Sequence, residues 1–142
     1  MAVTIDSEVF LDSAYVIALA HSTDAYHDRA VELAGTLAAR RTVLVTTRAV
    51  ILEIGNALAR VRSRAAAVNL IEQMQISPLV RVMLLTEELA ARGWGLFRQR
   101  TDKDWSLTDC ISFVVMQECR VRHAPSSDRH FEQAGYVALL RG

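Results

Sequence analysis

Cysteine is scarce, and the two present cannot bond to each other. Cys110 and Cys119 fall in one helical run and would stand ~14 Å apart along its axis, beyond the reach of a disulfide. A disulfide-stapled secreted scaffold is excluded. Lysine is scarcer still, with Lys103 the only one. No Gly-x-x-x-x-Gly-Lys-Ser/Thr loop exists, and Gly93-Trp94-Gly95 sits inside a helical run rather than after a strand, so a nucleotide cradle is absent. Without a Gly-x-Ser-x-Gly elbow, an α/β-hydrolase triad has no anchor. His21, His27, His123 and His130 lack zinc-ligand spacing with either cysteine. A phospho-acceptor receiver would need adjacent acids early and a lysine after a late strand; both are missing.

Long apolar runs and excess charge are missing too. The longest strongly apolar stretch, Cys110 to Met116, falls far short of the ~20 residues that span a bilayer. Asp6 and Glu8 are wrong for a signal-peptide start. A soluble, cytoplasmic protein without membrane contact is expected. Sixteen basic residues match sixteen acidic ones, which rules out a nucleic-acid wrapper held by bulk charge alone. Fifteen of the basic residues are arginine, which can grip phosphate in a bidentate fork. A G+C-rich genome would give the same bias, and the twenty alanines agree with that.

What is present is a globular chain of 142 residues, 51% hydrophobic, expected to form one domain over residues 1–142. Short β-type runs alternate with helical ones. Strands are expected at Val9 to Leu11, Thr42 to Thr46, Leu79 to Leu85, near Ala124, and at Tyr136 to Leu140. Asp12-Ser13 halts the first strand, and helices are expected after that break to Ala20, from about Asp24 to Arg40, and from Thr47 to Arg62. Further helices cover Ala65 to Ile76, Glu87 to Arg100, Ser106 (as cap) to Val121, and a turn from Arg129 to Gln133. The alternation implies a three-layer α/β/α sandwich with a mainly parallel sheet. In such folds ligands bind beyond the carboxyl ends of the strands.

Four acids fall at those places. Asp12 ends the first strand, Glu53 lies on the helix after the second, Asp109 opens the most apolar helix, and Asp128 follows the fourth strand. Each has a structural alternative. Asp12 and Asp128 can cap the helices that follow, Asp109 stands at capping-box distance from Ser106, and Glu53 can pair with Arg60. At 100° per residue, Glu53 sits about 40° from Ala57, on the border of the buried stripe, and Asp109 looks along the apolar face between Met116 and Phe113. A buried charge needs a partner. If the four converge, carboxylates ~4 Å apart repel by ~1 to 4 kcal/mol per pair. A divalent cation would relieve this, and oxygen-only ligands select Mg²⁺ or Mn²⁺ over zinc.

Four blocks carry a resemblance: Phe10-Leu11-Asp12-Ser13, Leu52-Glu53-Ile54-Gly55-Asn56-Ala57-Leu58, Asp104-Trp105-Ser106-Leu107-Thr108-Asp109 and Ser126-Ser127-Asp128-Arg129-His130-Phe131. In order and spacing the chain resembles the PIN-domain family, above all its VapC-type toxin ribonucleases. The resemblance implies a Mg²⁺- or Mn²⁺-dependent endoribonuclease that leaves a 5′-phosphate. Asp12, Glu53, Asp109 and Asp128 would be its catalytic and metal-holding acids, with Ser126 in support; Asn56, three residues after Glu53 and roughly on its side, either supports the site as well or is a satisfied helix-surface amide. Ser126 stands where the family more often carries Thr. Arg60, Arg62, Arg64, Arg98 and Arg100 are candidate contacts to the RNA backbone. The resemblance also implies a cognate VapB-type antitoxin whose C-terminal segment blocks the pocket. Apolar helical surface from Ala49 to Ile71 is the candidate for a homodimer contact. Two other readings remain open: a PIN-fold module that binds metal or RNA without cleavage, and acids that serve only as caps and surface pairs.

Overall fold

Three short strands rich in β-branched and aromatic residues build the sheet on which the rest of the chain is laid, in a computed structural model that describes residues 5–141. They are β1 (Glu8–Phe10), β2 (Val43–Thr47) and β3 (Val80–Met83), all parallel, with β2 in the middle. Phe10 faces Val45, and Thr46 faces Val82, in register. A second parallel pair, β4 (His123–Ala124) with β5 (Val137–Ala138), lies against β1 through β4. The first strand is thus the neighbour of both pairs. Its carboxyl end is where the chain order switches direction, the position at which open α/β sheets hold ligands.

Seven helices complete the described residues: α1 (Ser13–Ala20), α2 (His27–Ala39), α3 (Arg48–Ala57), α4 (Val61–Ile76), α5 (Glu87–Gln99), α6 (Leu107–Cys119) and α7 (Arg129–Gln133). α1 touches α2, α3 and α4, whereas α5 lies along α6, and α3 also reaches α6. The sequence expectation of an α/β/α arrangement matches this build. α6 is buried without a break from Asp109 to Met116, because it is covered from several sides at once. Phe113 on this helix meets Phe131 edge-on at 5.2 Å and Trp105 at 5.0 Å, and Phe131 in turn meets Phe10. These rings tie α6, α7 and β1 together.

Several boundaries differ from expectation, each for a tertiary reason. The helix expected over Thr47 to Arg62 stops at Ala57, and α4 starts at Val61 rather than Ala65. Leu58 leaves helical geometry while its side chain is buried in the core, and Arg64 braces the turn by donating twice to the Ala59 carbonyl, at 2.7 and 3.1 Å. No Gly or Pro marks that break. α2 begins at His27, after a turn in which the Asp24 carboxylate accepts the Tyr26 N–H at 2.8 Å. α6 ends at Cys119 because Arg120 is left-handed, with φ 56°. The last strand pairs only over Val137–Ala138. Both cysteines lie on α6 and are free thiols.

Of the glycine pair that carries no nucleotide loop, Gly93 has a packing role instead. A Cβ on Gly93 would stand 2.5 Å from Cγ1 of Ile111 and 3.3 Å from its Cα, so only glycine lets α5 approach α6 this closely. Gly95 meets nothing within 4 Å. Gly93→Ala is therefore expected to cost ~1–3 kcal/mol by overpacking, whereas Gly95→Ala gains ~0.5–1 kcal/mol by helix propensity. Urea denaturation of the two variants checks the opposite signs.

Candidate active site

Each of the four acids is delivered by a different local device. Asp12 follows β1 and caps α1, its Oδ2 facing the Ala14 N–H at 3.4 Å. Beside it, the Thr46 hydroxyl on β2 donates to the Leu11 carbonyl at 2.9 Å, and Thr47 caps α3. α3 therefore starts at the sheet's carboxyl edge, and Glu53 comes on its second turn. The Ser13 hydroxyl, at the start of α1, donates to Oε1 of Glu53. On the other side, Ser106 and Asp109 form a complete capping box at the start of α6, with bonds of 3.0 and 3.1 Å. Trp105 anchors that end of the helix: it is buried, and its Nε1–H donates to Gln133 at 3.1 Å. Asp128 caps α7 by accepting the His130 N–H at 2.9 Å.

Ser126 joins these pieces. Its hydroxyl is fully buried, donates to Asp12 Oδ2 at 2.7 Å and accepts the Asp128 N–H at 3.0 Å. His130 closes the ring from α7, its Nδ1 lying 2.9 Å from Asp109 Oδ2 and 3.3 Å from Asp128 Oδ1. Capping and convergence are thus compatible, since each carboxylate is anchored through one oxygen. Asp12 Oδ1, Asp109 Oδ1 and Asp128 Oδ2 accept no hydrogen bond among the described residues. No buried side-chain oxygen among those residues lacks a partner, so the free oxygen of Asp12 reaches solvent.

The electrostatics follow from this crowding. Burial pushes the Asp12 carboxyl up to about 7, helped by the charges of Asp109 and Glu53 and opposed by the hydrogen bonds from Ser126 and Ala14. Burial also raises Glu53, with Asp109 and Asp128 adding to it and Ser13 opposing. The four carboxylates therefore feel one another across one pocket. Among the described residues, no arginine or lysine forms an ion pair with any of them; His130 is the only potentially cationic partner. A hard dication fits such a donor set: oxygen ligands, negative charge in excess, and free lone pairs turned toward solvent.

The remaining candidates are placed less directly. Asn56 is exposed, three residues beyond Glu53 on α3. Arg60, Arg62 and Arg98 are exposed, whereas Arg64 is committed to the Ala59 carbonyl. Arg100 pairs with Asp102 at 3.0 and 3.1 Å and lies 4.9 Å over the Trp105 ring. That pairing holds the Asp102 carboxyl down, at about 2. Glu53 bonds to Ser13, in place of the Arg60 pairing considered above. Sequence reasoning missed two participants, Ser13 and His130. Both stand inside the quoted motif blocks, one residue after Asp12 and two after Asp128, and that adjacency was the available signal.

The PIN domain family model matches residues 9–136. Curated relatives are the 23S rRNA-specific endonuclease VapC20 of two Mycobacterium tuberculosis strains, CDC 1551 / Oshkosh and ATCC 25618 / H37Rv. Each is 30% identical over 131 residues, covering 92% of this chain and 97% of the relative. The crystal structure of Mycobacterium tuberculosis VapC20, described as a sarcin-ricin loop cleaving toxin, matches with a TM-score of 0.81 at 28% identity. That match covers 92% of this chain and 97% of the solved one.

The raised Asp12 carboxyl gives a signed pH dependence. A folded-state value of about 7 against an ordinary 3.8 means the native state holds a proton that the unfolded chain releases, so stability falls as pH rises through that window. Asp12→Asn keeps an oxygen to accept from Ser126 but carries no charge. In metal-free buffer the variant is expected to exceed the parent by up to ~4 kcal/mol at pH 8 and to match it near pH 4. Melting curves across pH measure this. If Asp12 were only a helix cap, the substitution would leave stability unchanged or lower it at pH 8.

Proposed function

Because the chain belongs to the PIN-domain family, we propose that it is a Mg²⁺- or Mn²⁺-dependent endoribonuclease, the toxin of a type II toxin–antitoxin pair. The observation that carries this reading is the pocket of four carboxylates, each of the three Asp anchored through one oxygen while the other stays free. Asp12, Asp109 and Asp128 hold the cation, directly or through water. Glu53 joins them or positions the attacking water. When bound, the cation orients a water, lowers its pKa and neutralises charge on the phosphate.

The chain's own groups prepare the step. Ser126 fixes the Asp12 carboxylate through a bond from its hydroxyl, and Ser13 does the same for Glu53. Burial and two neighbouring acids raise the proton affinity of Glu53, which suits a carboxylate that takes a proton from water at the sheet edge. The attacking oxygen forms the new bond to phosphorus as the bond to the 3′-oxygen breaks, leaving a 5′-phosphate. Asn56 supports Glu53 from the same helix. Arg60, Arg62 and Arg98 are exposed and bond to no acceptor in the protein among the described residues, so they are available to RNA phosphates. Arg64 and Arg100 serve chiefly as braces.

The named relatives act on 23S rRNA, which makes ribosomal RNA the first substrate to test. The whole of residues 1–142 acts as one domain in this reading, in the cytoplasm, where ribosomes and a VapB-type antitoxin are found. No described helix is long and apolar enough to cross a membrane. A second copy docks on α3 and α4, where Leu52, Val61 and Val68 are 64%, 92% and 50% exposed beside a groove lined by Leu58, Ala67 and Ile71.

Asp109→Asn preserves a capping oxygen and removes one charge. It is expected to lower Mn²⁺-stimulated cleavage of purified 23S rRNA by at least ~100-fold, read as loss of the cut product on a gel. Undiminished cutting would remove Asp109 from the mechanism. For assembly, light scattering is expected to give a dimer for the parent and a monomer for the Leu52→Glu, Val68→Glu double variant; a monomeric parent would contradict the α3–α4 contact.

A further inference from the structure

Among the described residues His130 is the only nitrogen donor in a pocket otherwise made of oxygen, and it is not held there loosely. α7 is fixed by Phe131, fully buried against Phe10 and Phe113, and by the bond between Gln133 and Trp105. Asp128 caps the same helix through the His130 N–H. The ring is thereby turned inward, with its side chain 21% exposed. One ligand atom each from His130, Asp109 and Asp128 lies within 4.8 Å of the others. Nδ1 is 2.9 Å from Oδ2 of Asp109 and 3.3 Å from Oδ1 of Asp128, so one ring nitrogen faces both carboxylates at ligand-sharing distance. A cation at their common centre could take one ligand atom from each of the three residues.

We propose that His130 is a ligand to the divalent cation of this pocket, through Nδ1 and together with Asp109 and Asp128, and that it tilts the site toward Mn²⁺ over Mg²⁺. The proposal rests on the metal-dependent reading above. In the bound state Nδ1 carries the metal through its lone pair, and the neutral ring carries its single hydrogen on Nε2. Imidazole nitrogen binds first-row dications well, whereas Mg²⁺ keeps to oxygen and water. A histidine that only held Asp109 in place by hydrogen bonding would not distinguish the two ions in this way.

The full chain, stripped of metal and loaded with Mn²⁺, can be examined by electron spin-echo envelope modulation. Modulation from a directly bound ¹⁴N is expected in the parent and lost in His130→Gln. Calorimetric titration is expected to show Mn²⁺ affinity falling about tenfold or more in that variant, with Mg²⁺ affinity changed by much less. Bound Mn²⁺ without nitrogen coupling in the parent would overturn the role of His130 and leave the acidic site standing, and this readout needs no variant to fold. Equal losses for both ions would also overturn it. A parent that binds neither ion would overturn the metal-dependent reading itself.

Discussion

One buried hydroxyl couples the three-stranded sheet to the β4–β5 pair where the acids meet. Ser126 arrives after β4 and gives its proton to Asp12 after β1, while its lone pair receives the Asp128 N–H. Without that bridge, Asp12 would be a buried charge with only a long contact to the Ala14 N–H to hold it. A buried, unpaired charge either neutralises or forces the structure open. The serine hydroxyl fixes the carboxylate geometrically and offsets part of the desolvation, and the raised Asp12 carboxyl shows that the remainder is not offset.

The scaffold is built to tolerate this. α6 is apolar nearly all round, and its aromatic contacts through Phe113 set α7 and the Trp105 anchor in fixed positions. Close packing of α5 at Gly93 holds α6 from the far side. The apolar interior therefore acts as a frame for a polar rim. Charge is concentrated at one edge of that frame, where burial and the neighbouring acids raise the Asp12 and Glu53 carboxyls. Such shifts are common at sites whose electrostatics are arranged in advance of the ligand.

How much of this was legible before the structure differs from element to element. The helix from Glu87, the capped helix from Ser106 and the turn from Arg129 are visible because cap and periodicity point the same way. The break after Ala57 is not, because no Gly or Pro marks it; it exists since Leu58 finds a place in the core and Arg64 satisfies the carbonyl that is released. Asp12, Glu53, Asp109 and Asp128 could be singled out because strand ends and helix starts are where such folds do chemistry. Ser13 and His130 carried only the weaker signal of standing next to those acids, since a serine after a strand and a histidine in a short helical turn have ordinary local explanations.

The chain alone determined the classes of structure and chemistry open to it: alternating elements for a covered parallel sheet, one lysine and few cysteines against nucleotide or zinc sites, and acids at strand ends and helix starts. Those are local facts, written in periodicity and capping. Whether the acids share a pocket, and which hydroxyls and which histidine stand among them, was decided only by packing β4 against β1 and α7 against α6. Residues more than a hundred positions apart, such as Asp12 and Ser126, meet only there. Proximity in space depends on long-range burial, and no local pattern of side chains encodes it.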